Sequence, residues 1–264
     1  MEMDKLDKKI AIIGIGHMGS SLLKGLLNAS FSKQNIFLSN NAKDNKKVAK
    51  KADWIILAIK PLQVKEVIKQ IEDVSQDKLL ISTAAAVSTS TIQKFTKNTK
   101  QKIIRIMPNL PVACNQGIIG LIANKYVTQV EKNEIKNLLS LLGTVLELHK
   151  EEQLDNLTLI SACGPGIVAY LMTMLSKTAT SLKLPKKDNE LLILKTFTGT
   201  LEYLQKTALT SQQLQDAVAT KGGVTEEIIH SMDDKKIPIY LKESLNKGKT
   251  KIDKLRKEIN LNQY

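Results

Sequence analysis

The stretch KIAIIGIGHMG, from Lys9 to Gly19, decides the fold of this chain. Apolar residues typical of a buried strand end in the pattern G-x-G-x-x-G, and an amphipathic pattern from Ser20 to Leu27 follows. Gly14 permits the tight turn, Gly16 lets the backbone approach a pyrophosphate, and Gly19 lets helix and strand pack closely. The helix N-terminus adds unpaired N–H groups and the positive end of a dipole. With a second predicted strand at the right distance, the stretch predicts a dinucleotide-binding unit.

The composition is that of an ordinary soluble globular protein. The 264 residues suffice for one large or two modest domains, and 42% hydrophobic with 25% charged residues is usual. No stretch reaches the ~20 apolar residues that span a bilayer, and Met1–Lys5 lacks the layout of a signal peptide. The two cysteines, Cys114 and Cys163, make no metal-ligand spacing. We therefore expect a cytoplasmic protein without a membrane partner or a metal site.

The net charge of +13 raises the question of a nucleic-acid partner. The positive charge is almost all lysine, since Arg105 and Arg256 are the only arginines, and it is spread along the chain. Aromatic residues make up 4% of the chain and do not alternate with basic residues, as a base-stacking surface requires. We expect solvated lysines and no nucleic-acid partner, with part of the charge attracting an anionic cofactor and substrate.

Two periodicities divide the chain near residue 150. Before it, near-continuous apolar strands alternate with helices, which predicts a parallel sheet covered on both faces. After it, helical stripes take over. The predicted fold class is α/β: a Rossmann-like doubly wound sheet over residues 1–150, then an all-helical domain over residues 151–264. The strands after the first are Ile36–Ser39, Trp54–Ile59, Leu79–Ser82, Ile103–Met107, Ile118–Ala123 and Val145–Leu148. The helices are Ser20–Leu27, Gln63–Ile71, Thr89–Phe95, Glu131–Leu142, Leu154–Ile160, Ile167–Leu182, Lys187–Lys206, Ser211–Val218, Thr225–Met232 and Ile237–Ile259, while Lys43–Lys51 is only a short lysine-rich segment.

The end of the second strand favours a phosphorylated dinucleotide. In an NAD site a carboxylate here bonds the ribose 2′-hydroxyl and would repel a 2′-phosphate. This strand ends Ser39-Asn40-Asn41, with no acid until Asp44 and with lysines from Lys43 onward. Hydroxyl, amide and ammonium donors suit a phosphate, although Ser and Asn are also common turn residues. We expect NADPH, with NADH possible.

Four further segments complete an ordered set of motifs: Ala58–Pro61 (AIKP), Arg105–Pro111 (RIMPNLP), Ser161–Pro165 (SACGP) and Ala219–Thr225 (ATKGGVT). With the glycine turn, they resemble the pyrroline-5-carboxylate reductase family. The resemblance implies an N-terminal Rossmann-like domain and a C-terminal helical domain that pairs two subunits into a homodimer, which can assemble further. It also implies NAD(P)H-dependent reduction of Δ1-pyrroline-5-carboxylate to L-proline, a step of proline biosynthesis.

The resemblance further implies which residues line the site. The cofactor-binding set takes in the glycine turn and the carboxyl ends of the strands: Gly14, Ile15, Gly16, His17, Met18, Gly19, Ser39, Asn40, Asn41, Ala58, Lys60, Pro61, Ala84, Met107, Pro108 and Asn109. The substrate-binding set is Cys163, Lys221, Gly222, Gly223, Val224 and Thr225, of which Thr225 is also the catalytic residue. We expect Asn109 to face the nicotinamide, and Arg105 to be structural within its strand.

The chemistry can also be argued from the residues. A protonated imine is already electrophilic, so the enzyme mainly holds its carbon near the nicotinamide C4. The Gly222-Gly223 turn before a predicted helix is an anion site for the substrate carboxylate. The Thr225 hydroxyl would bond the ring nitrogen, or else Thr225 only N-caps the helix. This interpretation requires the two glycine turns to face one crevice, within one chain or across two subunits.

The chain departs from the family pattern in several places. The segment 42–53 is short, which removes most of a helix and a strand; Ile167 and Thr173 replace a Tyr and an acid; and Lys221 replaces a Pro. A paralogue acting on another small anionic imine or keto acid therefore stays open, as does a non-catalytic nucleotide-sensing protein. A β-hydroxyacid dehydrogenase shares the two-domain plan, but the helix after Gly164 has no lysine before Lys177.

Overall fold

A computed structural model describes residues 8–261, apart from the side chain of Lys186, so the Met1–Lys5 segment lies outside the described residues. The strands are β1 (Ile10–Ile13), β2 (Ile36–Ser39), β3 (Trp54–Leu57), β4 (Leu79–Ser82), β5 (Ile103–Pro108), β6 (Gly117–Ala123) and β7 (Gly143–Glu147). The helices are α1 (His17–Asn28), α2 (Ala42–Lys51), α3 (Val64–Ser75), α4 (Thr89–Phe95), α5 (Gln129–Ser140), α6 (Glu151–Leu157), α7 (Gly164–Ser181), α8 (Lys186–Thr207), α9 (Ser211–Val218), α10 (Val224–Asp234) and α11 (Ile237–Leu261). A π-helical turn, Thr158–Ala162, joins α6 to the segment before α7.

The seven strands form one sheet in the order β2-β1-β3-β4-β5-β6-β7. All neighbours are parallel except β5 and β6, which pair antiparallel with Arg105 opposite Ile122. This corrects the expectation of a purely parallel sheet. The connection 109–116 is too short for a parallel crossover, which takes a dozen residues or more, so the chain must reverse.

The two faces of the sheet carry separate cores because side chains alternate along each strand. Ala11 and Ile13 lie in one core with apolar residues of α2, α3 and α4, and with Ile252 and Ile259 of α11. Ile10 and Ile12 lie in the other, with residues of α1 and α5. Because both faces of the sheet are buried, the sequences of its strands are nearly continuous apolar runs.

The lysine-rich segment forms a complete helix, α2, which corrects the expectation that most of a helix is missing there. The Asn41 side chain caps it by accepting from the Asp44 N–H at 3.1 Å. Asn45, Val48 and Ala49 are its buried residues, so its apolar stripe is only two residues wide. That narrow stripe, among five lysines, hides the helical period in the sequence.

The chain groups into two compact units. The first comprises Met1–Pro165 and Gly248–Tyr264, and the second is Gly166–Lys247, which lies within the helical part of the chain. The end of α11 therefore belongs to the same unit as the sheet. The division of the chain into domains 1–150 and 151–264 stays a prediction.

The helical unit buries very little within one chain. Among its described side chains, Ala179 and Ile193 are the only buried hydrophobic residues, whereas Tyr170, Leu191 and Leu194 are exposed with many others. The run Glu151–Ser181 is long and apolar enough to cross a membrane by length and composition alone. Its threonines and serines interrupt the apolar residues, which explains why the sequence contains no continuous apolar stretch of this length.

Candidate functional site

The three glycines of the first turn have distinct surroundings, and these match their expected mechanics. A Cβ on Gly14, which has φ +97°, would lie 2.5 Å from the Ala58 carbonyl oxygen. A Cβ on Gly19 would lie 1.9 Å from the Gly14 oxygen, so strand and helix are in closest contact there. A Cβ on Gly16 would meet nothing within 4 Å. Gly16 therefore leaves its backbone open at the N-terminus of α1, where a pyrophosphate can approach.

A surface groove of about 530 Å³ lies beside this turn, lined by Ile15, Gly16, His17, Ser20, Ser21, Lys24 and Ala113. Ser20, Ser21 and Lys24 were not among the sequence-predicted residues. They follow His17 at helical spacings of three, four and seven, so they share its face of α1. The groove thus combines an open helix N-terminus with a cation one turn further along, an arrangement suited to phosphate oxygens.

The side chains after β2 make hydrogen bonds within the chain, and their contact with a cofactor stays a prediction. The Ser39 hydroxyl is buried and donates to the Asn45 Oδ1 at 2.7 Å. The Asn40 Oδ1 accepts from the Ile15 N–H at 3.1 Å, which ties this segment to the glycine turn, and Asn41 caps α2. At the start of α2 the Lys43 side chain is exposed and makes none of the ion pairs found among the described residues, whereas the exposed Lys46 pairs with Asp73.

The carboxyl ends of β3, β4 and β5 supply the remaining predicted cofactor residues. Ala58, Lys60 and Pro61 are at least partly exposed, whereas Ala84, Met107, Pro108 and Asn109 are buried. The Asn109 Oδ1 accepts from the Ile118 N–H at 3.0 Å, so its amide holds the β5–β6 connection. This use within the chain explains why an Asn stands here, independently of any contact with a nicotinamide.

The double-glycine turn lies at the N-terminus of α10. Gly222 has φ +74°, and Gly223 is the N-cap, so Thr225 is not the cap that the alternative interpretation required. The Gly222 N–H donates to the Glu226 Oε2 at 2.6 Å, and the Gly223 N–H donates to the Thr220 oxygen at 2.8 Å. Both glycine N–H groups thus donate within the chain, and their contact with a substrate carboxylate stays a prediction. The open donors are those of the first turn of α10, from Val224 onward.

The Thr225 side chain is exposed, as is that of Lys221. Its hydroxyl makes none of the hydrogen bonds found among the described residues. A hydroxyl at this position can therefore bond a ligand without first breaking a bond within the chain. Cys163 is exposed as well and follows the π-helical turn in the first unit. The glycine turn and the double-glycine turn belong to different units, and the crevice shared by them stays a prediction.

Arg105 is buried within β5, as expected of a structural residue, with 1% of its surface exposed. It pairs with Glu151 and lies 3.8 Å from Asp155. Burial raises the pKa of the Asp155 carboxyl, although Arg105 and Arg256 beside it act in the opposite direction. Among the described residues, no cluster of three or more His, Cys, Asp or Glu side chains could hold a metal ion.

Comparisons with known proteins cover both parts of the chain. A family model described as pyrroline-5-carboxylate reductase dimerisation matches residues 151–255. A second model, described as NADP oxidoreductase coenzyme F420-dependent, matches residues 9–86, which include the glycine turn. The helical region and the nucleotide-binding region thus each match a model on their own.

Individual relatives span nearly the whole chain. Pyrroline-5-carboxylate reductase 2 of Bacillus subtilis is 29% identical over 247 residues, covering 86% of this chain and 87% of the relative. The reductase of Corynebacterium melassecola is 27% identical over 245 residues, covering 85% and 90%. The crystal structure of Plasmodium falciparum pyrroline carboxylate reductase with NADP bound has a TM-score of 0.87 at 26% identity, covering 95% and 98%. The expected fold class, a Rossmann-like sheet followed by a helical domain, is confirmed.

Proposed function

We propose that this chain is a divergent member of the pyrroline-5-carboxylate reductase family and that it reduces Δ1-pyrroline-5-carboxylate to L-proline with NADPH. NADH is a possible second donor. The observation that carries this proposal is the N-terminus of α10, where an exposed Thr225 hydroxyl adjoins open first-turn N–H groups. A helix N-terminus attracts a carboxylate, and a hydroxyl beside it suits the ring nitrogen of the same small molecule.

The residues present fit the cofactor. The groove beside Gly16 takes the pyrophosphate, and the Lys24 ammonium faces the same groove. Lys43, at the start of α2, supplies a cation for a 2′-phosphate. When bound, NADPH supplies the hydride that adds to the imine carbon.

The chain's own residues then orient the substrate. The N–H groups of Val224 and Thr225 hold its carboxylate, with Lys221 adding a nearby positive charge. The Thr225 hydroxyl accepts a hydrogen bond from the protonated ring nitrogen, which fixes the face of the imine. Since the substrate enters as the protonated imine, hydride addition alone gives the neutral amine, and no separate acid is needed. Most of the rate enhancement therefore comes from positioning.

We also propose a homodimer formed by the helical unit. This unit has almost no apolar core within one chain, and a unit that buries so little cannot offset the entropy of ordering it. A second copy would cover the exposed faces of α7 and α8, including the apolar run that ends at Ser181. The charged first two turns of that run, with Glu151 and Asp155 paired to arginines, favour this over a membrane. We propose that the dimer works in the cytoplasm.

A steady-state assay tests the function. The protein is mixed with Δ1-pyrroline-5-carboxylate and either NADPH or NADH. The decrease in absorbance of the reduced nicotinamide is then followed over time. We expect turnover with both and a higher kcat/KM with NADPH. Turnover only with a keto acid would reassign the substrate, and NADPH binding without any turnover would indicate a nucleotide-sensing protein.

A further inference from the structure

The segment 83–88, between β4 and α4, adopts a backbone conformation that its sequence does not favour. Ala86 has φ +63°, in the left-handed region where a Cβ is disfavoured. Such a conformation persists only where surrounding contacts impose it, and such residues are frequent at functional sites. The segment follows the carboxyl end of β4, at the edge of the sheet where open α/β folds bind ligands.

Contacts at both ends hold this segment. Upstream of Ala86, the Arg105 Nη2 donates to the Ala84 oxygen at 3.3 Å. Downstream, the Glu151 Oε1 accepts from the Thr89 N–H at 2.7 Å and from the Thr89 hydroxyl at 2.9 Å. The other oxygen of Glu151 pairs with Arg105, so one carboxylate joins the two ends.

The helix α11 reaches Arg105 only through Asp155, which lies 3.8 Å from Arg105 and pairs with Arg256. Asp155 lies between Arg105 and Arg256, and Arg256 also bonds the Asp253 carboxylate at 2.9 Å. These groups surround a cavity of about 350 Å³ in the first unit. Each of its charged side chains has a partner of opposite sign within the unit, so the cavity carries an ion-pair network, in which Arg105 Nε and Asp155 Oδ1 are buried without a hydrogen bond among the described residues.

We propose that Arg105 and Glu151 are positioning residues, which hold the segment 83–88 in the conformation that receives the nicotinamide half of the cofactor. The proposal rests on the proposed function. The proposed pyrophosphate position is at the end of β1, and β4 is two strands away in the sheet. At ~4.8 Å per strand the segment is roughly 10 Å from the glycine turn, on the side opposite to β2 and the 2′-phosphate. Neither residue touches substrate or cofactor, and both act through the backbone of Ala84 and Thr89.

Glu151→Gln tests this proposal by removing the charge that joins both ends. We expect kcat to fall about tenfold, while the NADPH dissociation constant changes less than threefold, because the pyrophosphate and adenosine contacts lie elsewhere. Glu152→Gln is the matched control, since Glu152 lines the same cavity but only reaches Lys249 at 3.9 Å. An unchanged kcat in Glu151→Gln, or equal losses in kcat and NADPH affinity, would overturn the proposal.

A gentler variant and a second measurement cover the case of a protein that fails to fold. Thr89→Val removes one of the two bonds to Glu151 and leaves Arg105 paired, so we expect a smaller loss of kcat in the same direction. Thr89→Ser should restore wild-type kcat. Amide hydrogen exchange of residues 83–89 should slow when NADPH is added to the wild type, and less so in Thr89→Val. Hydrogen exchange needs no turnover, so it tests the proposal even if the imine is not the substrate. Absence of protection of residues 83–89 by NADPH in the wild type would refute the proposal.

Discussion

At the residue scale, the glycines of the first turn differ in what a side chain would meet, and this separates folding from binding. Gly19 is in contact with the backbone of Gly14, so its lack of a Cβ serves the fold. Gly16 faces open space, so its lack of a Cβ serves an approaching ligand. The G-x-G-x-x-G pattern predicts both roles because each follows from strand–helix geometry alone.

Replacing these glycines one at a time should therefore give opposite results. Gly16→Ala should cost ~1 kcal/mol or less in stability, an N-cap effect, yet weaken NADPH binding at least tenfold. Gly19→Ala should destabilise the fold by about 3 kcal/mol, because backbone must move apart. Thermal unfolding and fluorescence titration with NADPH measure the two effects. Tight NADPH binding by a folded Gly16→Ala protein would place the pyrophosphate elsewhere.

Thr225 permits an equally direct separation of roles. Because Gly223 is the N-cap, Thr225→Val should leave the unfolding temperature nearly unchanged. We expect kcat/KM for the imine to fall about 100-fold, in line with the loss of ~2–3 kcal/mol from a hydrogen bond to a charged group. NADPH affinity should stay within twofold, and Thr225→Ser should retain most of the activity. A Thr225→Val enzyme with full kcat/KM would remove this residue from the site.

The hydrogen-bond partners of the candidate site residues within the chain were not predicted from the sequence. Ser39, Asn41 and Gly222 were of the right chemical type for ligand contacts. Their partners Asn45, Asp44 and Glu226 are close in sequence, but they come within reach only once α2 and α10 have formed. A motif identifies the turn, whereas the competition between internal and external partners depends on the helix that follows it.

At the scale of elements, the strong apolar periods were predicted well and the weak ones were not. β2, β4, α4 and α9 have the predicted bounds, because their patterns are pronounced or their caps are clear. The helix α2 was missed because lysines dominate it, and the reversal at β6 was missed because strand direction follows from the length of the connection. The order of the strands follows from neither pattern.

The start of α2 should decide the choice between NADPH and NADH. Lys43 is exposed in the first turn, whereas Lys46 is held by Asp73 at 2.5 Å. Lys43→Gln should lower the NADPH-to-NADH ratio of kcat/KM about fivefold, since one charged contact to a phosphate is lost. Lys46→Gln, of equal charge change, should leave the ratio within a factor of two. Similar ratios in the two variants would mean that Lys43 does not contact the 2′-phosphate.

The pairing of β7 with α5 predicts a specific dependence of stability on pH. Bonds from Lys132 and Lys136 lower the pKa of the Glu147 carboxyl to about 2, from an ordinary value of 4.5. A lowered carboxyl pKa stabilises the fold above pH 4.5, and this contribution disappears as the pH falls towards 2. Glu147→Gln should cost about 1 kcal/mol at pH 7, since the pair is partly solvated, and nearly nothing at pH 2. Chemical unfolding at both pH values measures this; a loss that persists at pH 2 would indicate packing instead.

At the scale of the whole molecule, the sequence predicted the change from sheet to helices near residue 150 because the periodicity itself changes there. It could not show that α11 returns to the sheet, since Ile252 and Ile259 fit equally well into any helical core. Nor does a helical stripe reveal whether its apolar face is covered by the same chain or by another copy.

Association of two copies should be visible in solution. Leu191→Glu with Leu194→Glu places two charges on one exposed face of α8, so we expect a monomer by light scattering and an unfolding temperature at least 10 °C lower. Wild-type unfolding temperature should rise with protein concentration. Val130→Glu, an equally abrupt change at an exposed site on the first unit, should remain dimeric. A monomeric wild type would refute the homodimer.

The return of α11 to the first unit has a consequence for biosynthesis on the ribosome. Ile252 and Ile259 of α11 lie in the core that also holds Ala11 and Ile13 of β1. This core is therefore incomplete until α11 has been translated. A nascent chain can assemble most of its sheet but cannot complete this core until α11 has left the ribosome. Ribosome-stalled chains that stop before Gly248 should therefore remain sensitive to protease throughout the nucleotide-binding unit, and a premature stop codon there would leave no functional fragment.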